Sequence, residues 1–176
     1  LTSKGYDAQG VAFDVTDEQA IEAAFSKLDA EGISVDILIN NAGAVWGGSP
    51  EDLKPENWLK VINVNMMGTF NVTGEVGREM IKKRKGSIIN ITSVTGFGGS
   101  DTSTQNAITY NTTKGALIPF TKDLAVKWAK HGIRVNAIAP GWFPTEMSAW
   151  QLSQAGEKIK NDIPLSRFGG EDELKG

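Results

Sequence analysis

Tyr110 and Lys114 stand four residues apart near the front of an amphipathic stretch that runs to Trp128. If residues 111–128 are helical, four residues make slightly more than one turn, and both side chains project from the same face. A phenol beside an ammonium is a tunable acid. The positive charge favours phenolate, lowers the tyrosine pKa and makes the group available for proton transfer. The same spacing also describes an ordinary solvated surface pair, so its meaning depends on the elements around it. Ser93, upstream at the end of an apolar run, offers a hydroxyl that could hydrogen-bond a reacting oxygen; alone it reads equally as a turn residue.

Other chemistries are poorly served. The chain has no cysteine, which removes disulfides, thiol nucleophiles and thiolate metal sites. Its one histidine, His131, precedes Gly132 at a predicted helix end, where a cation complements the last carbonyls, and no metal site is expected. A net charge of −3 argues against a nucleic-acid surface, and the basic run 82–85 falls at a helix end. Hydrophobic content of 40% with 22% charged residues is ordinary for a globular protein, and 176 residues suit one domain spanning 1–176. No apolar run reaches membrane-spanning length and no signal-peptide pattern opens the chain, so no membrane partner and a cytoplasmic location are expected.

The elements that must position these groups follow from periodicity. Residues 11–15 read as a strand, and Thr16-Asp-Glu-Gln19 as a capping box opening a helix to about Ala30. Residues 35–40 form a nearly continuous apolar run, as in a strand buried on both faces, ending in Asn40-Asn41-Ala42-Gly43. A short turn at Ser49-Pro50 precedes a long helix from Pro55 to about Lys83, closed by Gly86. Residues 87–93 are a third strand, followed by a Gly/Ser/Thr-rich stretch and the Tyr110 helix; residues 133–139 are a fourth, ending at Pro140-Gly141. Strands alternating with helices predict an α/β fold with a parallel sheet and helices on both faces. In such sheets function collects at the carboxyl ends of the strands, where the chemically unusual residues here all fall.

On these residues the chain resembles the short-chain dehydrogenase/reductase family over essentially its whole length. The signatures are Asn40-Asn41-Ala42-Gly43, Val64-Asn65-x-x-Gly68, Ser93, Tyr110-x-x-x-Lys114 and Pro140-Gly141, in the family's order. The resemblance implies a Rossmann-like three-layer α/β/α fold and an NAD(P)-dependent oxidoreductase interconverting a secondary alcohol and a ketone. Tyr110 would be the general acid/base. Lys114 would lower its pKa and hold the nicotinamide ribose, and Ser93 would bind the substrate oxygen. Asn65 would interrupt its helix and support a water leading from Lys114 to solvent. Asp14 and Val15 would bracket the adenine, Asn41 and Gly43 would let backbone approach its ribose, and Pro140, Gly141, Phe143 and Thr145 would fix the nicotinamide. The cofactor is expected to be NAD(H) or NADP(H), the preference unreadable.

The chain departs from the family pattern in two places. No Gly-rich phosphate loop precedes Asp14, and the end lacks the family's last strand; the expectation is an internal fragment that binds cofactor poorly on its own. The interval from Ser93 to Tyr110 is also longer than usual, and residues 98–103 would form a polar flap over the substrate, with Trp46, Trp142 and Trp150 as candidate pocket walls or as packing. The resemblance is strongest to the 3-oxoacyl-acyl-carrier-protein reductase and gluconate 5-dehydrogenase group. It implies a small-molecule alcohol or ketone substrate and a homo-oligomer, a tetramer. A non-catalytic member that only binds or assembles is the alternative.

Overall fold

Three short parallel strands form the sheet in this computed structural model, which describes residues 1–175. The strands are β1 (Ile37–Asn40), β2 (Gly86–Ile91) and β3 (Ile133–Ile138), paired in the order β1-β2-β3. Leu38 pairs with Ile88 and Ile88 with Val135, so these apolar residues stand in one row and point to one face. That face carries the core, where Leu38, Ile88, Ile133 and Val135 meet Ile21, Val72, Val76 and Met80. The helices supplying the latter are α1 (Glu18–Ala30) and α3 (Thr69–Lys83); α4 (Ile108–Trp128) packs beside α3 on β2 and β3.

Asn40 and Asn90, partners in the ladder, send their amides to this same face. Asn40 Nδ2 donates to Thr73 Oγ1 on α3 (2.8 Å) and to Asn90 Oδ1 (2.9 Å), while Asn90 Nδ2 donates to Thr121 Oγ1 on α4 (2.9 Å). Both helices therefore lie on one side of the sheet. Geometry explains this. The crossovers β1→β2 and β2→β3 step in the same direction, and right-handed crossovers stepping one way put their helices on one face. The parallel α/β architecture is as expected, but helices on both faces is met on one face only within the described residues. The opposite face leaves Ile37 and Ile39 62% and 57% exposed.

Residues 11–15, expected as a strand, make no ladder. No described segment lies along the free edge of β1 to accept their backbone groups. Instead Asp14 turns the chain, accepting from Thr16 N and Thr16 Oγ1 (2.8 Å each). The helix cap consequently moves one residue from the expected Thr16. Asp17 accepts from Gln19 N (2.9 Å) and Ala20 N (3.1 Å) and starts α1.

The long helix expected from Pro55 to Lys83 has three parts: α2 (Pro55–Ile62), a π-helical turn (Asn63–Gly68), and α3. The wider turn brings Gly68 against Val15, whose side chain would lie 2.7 Å from any Cβ there, so only glycine allows the pass. Residues 94–97 form a 3₁₀ turn after Ser93, and α5 (Ala149–Asp162) follows the carboxyl end of β3 with a kink at Ala155.

Candidate active site

Ser93 follows β2 as the cap of the 3₁₀ turn, and its Oγ accepts from Thr95 N (3.3 Å) and pairs with Thr95 Oγ1 (2.9 Å). α4 presses onto that turn through a glycine contact. A Cβ on Gly96 would lie 2.8 Å from Gly115 N. This close approach places the first turn of α4 beside Ser93, and Tyr110 and Lys114 face the same side as predicted. The Lys114 Nζ lies 5.7 Å from the Tyr110 ring centroid.

Lys114 is 4% exposed and its ammonium donates to the Ile91 carbonyl at 2.6 Å. Burial holds its pKa down from the usual 10.5 to about 8. Tyr110 differs from expectation. Burial pushes its phenol up from 10.0, while the neighbouring Ser93 hydroxyl pulls in the opposite direction and does not prevail. The predicted lowering by Lys114 is therefore not found. The ammonium is committed to a backbone carbonyl, and the desolvation of phenolate is the larger effect.

Asn65, in the π turn, is fully buried. Its Oδ1 accepts from Ala44 N (2.7 Å), and its Nδ2 donates to Ala44 O (3.0 Å) and Thr113 Oγ1 (2.9 Å). Thr113 in turn donates to the Tyr110 carbonyl (2.9 Å), and the Asn65 carbonyl accepts from Thr69 Oγ1 (2.9 Å). The side chain thus ties the loop after β1 to α4. Gly43 lies between, and a Cβ there would stand 3.6 Å from Asn65 Oδ1 and 3.7 Å from Lys114 Nζ.

Two adjoining cavities open here, of about 480 Å³ and 450 Å³, sharing Asn41, Ser93, Tyr110, Pro140, Gly141 and Thr145 on their walls. Gly43 and Lys114 belong to the first and Phe143 to the second. The strand ends are locked together at this rim: Thr92 N donates to Ile138 O (2.8 Å) and Val94 N to Pro140 O (3.1 Å). Ser148 Oγ donates to the Phe143 carbonyl (2.6 Å) and accepts from Thr145 N (2.9 Å), fixing the turn that carries both.

Nine of the expected site residues therefore meet at one place, and Asn65 stands directly behind them. Asp14 and Val15 do not line these cavities. Asp14 is exposed in its turn, and Val15 packs under Gly68. Of the three tryptophans, Trp142 lines the 450 Å³ cavity, Trp150 lines a separate recess with Gly47 and Gly48, and Trp46 lies near Lys60, whose Nζ is 5.2 Å from its ring. Sequence reading missed Thr113 and Thr95. Thr113 falls three residues after Tyr110, the helical spacing that signals a shared face. Thr95 carried no such signal, because its contact with Ser93 depends on the 3₁₀ turn.

The site suits the nicotinamide end of a dinucleotide. Lys114 and Tyr110, one turn apart, present donors to a ribose diol, and the open space around Gly141 admits a flat ring beside Ser93. Among the described residues no cluster of His, Cys, Asp and Glu could hold a metal, and no helix is long and apolar enough to cross a membrane.

The family model described as short chain dehydrogenase matches residues 1–155. The chain is 40% identical over 97% of its length to 3-oxoacyl-acyl-carrier-protein reductase of Aquifex aeolicus, covering 67% of that protein. It is 36% identical over 99% of its length to galactitol 2-dehydrogenase of Rhizobium johnstonii, covering 68%. In fold it is similar to a gluconate 5-dehydrogenase from Burkholderia cenocepacia solved in complex with NADP and tartrate, with a TM-score of 0.89 and 33% identity. That match covers 96% of this chain and 65% of the other. The chain thus spans about two thirds of the length of the relatives it matches.

Proposed function

The chain belongs to the short-chain dehydrogenase family, and from that premise we propose that the protein is an NAD(P)-dependent oxidoreductase interconverting a secondary alcohol and a ketone. The observation that carries this reading is the meeting of Ser93, Tyr110 and Lys114 on one cavity wall, with Asn65 braced behind them.

A bound nicotinamide would supply the hydride in ketone reduction and accept it in alcohol oxidation. The remaining work falls to side chains of this chain. Ser93 Oγ donates to the substrate oxygen and stabilises the negative charge that develops there. In reduction, Tyr110 Oη gives its proton to that oxygen as the carbonyl carbon gains the hydride; the product is a secondary alcohol, and the phenolate is reprotonated from solvent. In oxidation the phenolate takes the alcohol proton. Lys114 holds ribose hydroxyls and, as an ammonium, favours the phenolate when it forms. Asn65 keeps the loop after β1 against α4 and supports a water path from Lys114 to solvent. Asn41, Gly43, Pro140, Gly141, Phe143 and Thr145 hold the cofactor, and Asp14 and Val15 approach its adenine end.

We assign these roles to one unit spanning residues 1–176, in a homo-oligomeric, cytoplasmic protein. Phe70 and Val126 on α3 and α4 are exposed apolar side chains suited to pairing between subunits, and light scattering would read a tetramer or refute it. The functional reading is tested with isotopically labelled reduced cofactor, NADH or NADPH, and a panel of ketones. Label transferred to the carbonyl carbon of a product alcohol is expected; cofactor binding with no transfer to any ketone would refute the reading.

A further inference from the structure

Gln105 ends the long interval after Ser93 and lines both the 450 Å³ cavity, with Ser93 and Tyr110, and the neighbouring 650 Å³ cavity under residues 98–101. Its amide is oriented from behind. Asn111 Nδ2 donates to Ser100 Oγ (3.4 Å), and Ser100 Oγ donates to Gln105 Oε1 (3.5 Å). Both bonds are long, but they have one direction: the Gln105 oxygen is engaged by Ser100, and among the described residues the Nε2 donors make no hydrogen bond.

The charges nearby point the same way. No charged side chain lines the 450 Å³ cavity among the described residues. Arg167, the cation on the wall of the larger cavity, is clasped by both oxygens of Glu173 (2.9 and 2.6 Å), and Asp101 and Asp162 share that wall. Lys158, which reaches toward the flap from α5, is committed to Asp101 at 3.3 Å. A substrate carboxylate in the 450 Å³ cavity would meet no cation on its walls, Lys114 of the adjoining cavity being engaged by the Ile91 carbonyl, whereas neutral hydroxyls meet amide and hydroxyl partners.

We propose that Gln105 reads the substrate, its amide nitrogen donating to a hydroxyl oxygen beside the reacting carbon, and that the substrate is an uncharged polyhydroxy alcohol or its ketone. This rests on the oxidoreductase reading above and narrows it. The test measures kcat/KM on the purified protein for a hexitol, the hexonic acid of the same length, a simple secondary alcohol without neighbouring hydroxyls, and an acetoacetyl thioester. Wild type is compared with Gln105→Leu and Gln105→Arg.

Wild type should favour the hexitol over the acid by about tenfold or more, and Gln105→Leu should lose about tenfold on the hexitol while keeping its rate on the simple alcohol. Gln105→Arg should move preference toward the acid. Equal losses on hexitol and simple alcohol would overturn the proposal, as would a wild type preferring the acid. Turnover of the thioester but of no polyol would overturn it and leave the oxidoreductase reading standing. Bound cofactor, read by fluorescence, with no turnover of any of the four compounds would sink both.

Discussion

Lys114 is a buried ammonium held by one carbonyl, and its lowered pKa has consequences for stability and for activity. A lysine at 10.5 when unfolded and about 8 when folded binds fewer protons in the native state across that window. Stability therefore rises with pH between the two values, and the full penalty, about 3 kcal/mol, applies below the lower one. Lys114→Met should accordingly stabilise the ligand-free protein at neutral pH, by that amount less what the Ile91 carbonyl loses. Urea titrations should show the advantage closing as pH approaches 10.5; a gap independent of pH would contradict the burial argument. Tyr110 carries the opposite message. With its pKa raised, the phenol is protonated at neutral pH, the form that donates in ketone reduction. Alcohol oxidation needs the phenolate, so its kcat/KM should climb with pH while that for reduction stays flat through neutrality. Parallel profiles in the two directions would argue against Tyr110 as the shared group. The Tyr-x-x-x-Lys spacing told where these groups would stand, because helix geometry is local. It did not tell the direction of the tyrosine shift, which depends on how much water the folded site excludes.

Among the elements, the contact between the 3₁₀ turn at 94–97 and α4 sets the distance from Ser93 to Tyr110. Gly96 and Gly115 touch there without side chains, and a Cβ on Gly115 would lie 3.0 Å from Gly96 O. Gly96→Ala should push the helix off the turn and lower kcat/KM about tenfold or more, since an ångström of displacement at a reacting group is costly. Circular dichroism should be unchanged, and an unaltered rate would show that the contact does not position the site. Strands β1, β2 and β3 were readable as apolar runs, and the disruption at Asn65 as a motif. The π turn that accommodates it shows no distinct periodicity. Residues 11–15 looked like a strand because β-branched and aromatic residues fit a pleat, yet strand formation needs a neighbour, and sequence pattern carries no information about who supplies one. The capping residue was missed by one position for a similar reason: Thr16 and Asp17 are both good caps, and the Asp14 turn decides between them.

Taken as a whole, the molecule gathers its reactive groups along the carboxyl ends of three parallel strands, and residues 98–101 and α5 border the adjoining 650 Å³ cavity. Asp101 joins these two pieces through Lys158, with its carboxyl held down to about 2 by Ser103 and Lys158. The pair is exposed, so salt should weaken it; Asp101→Asn should raise the KM of a substrate lodged beneath the flap more than it changes kcat. An unchanged KM in low salt would separate the pair from substrate binding. The claim on which everything else depends is that Tyr110 transfers the proton. Tyr110→Phe keeps the ring and removes only the hydroxyl. Turnover of ketone with reduced cofactor should fall by roughly a hundredfold to ten-thousandfold, with the cofactor Kd held within about twofold. A variant that binds cofactor and turns over at the wild-type rate would contradict the claim.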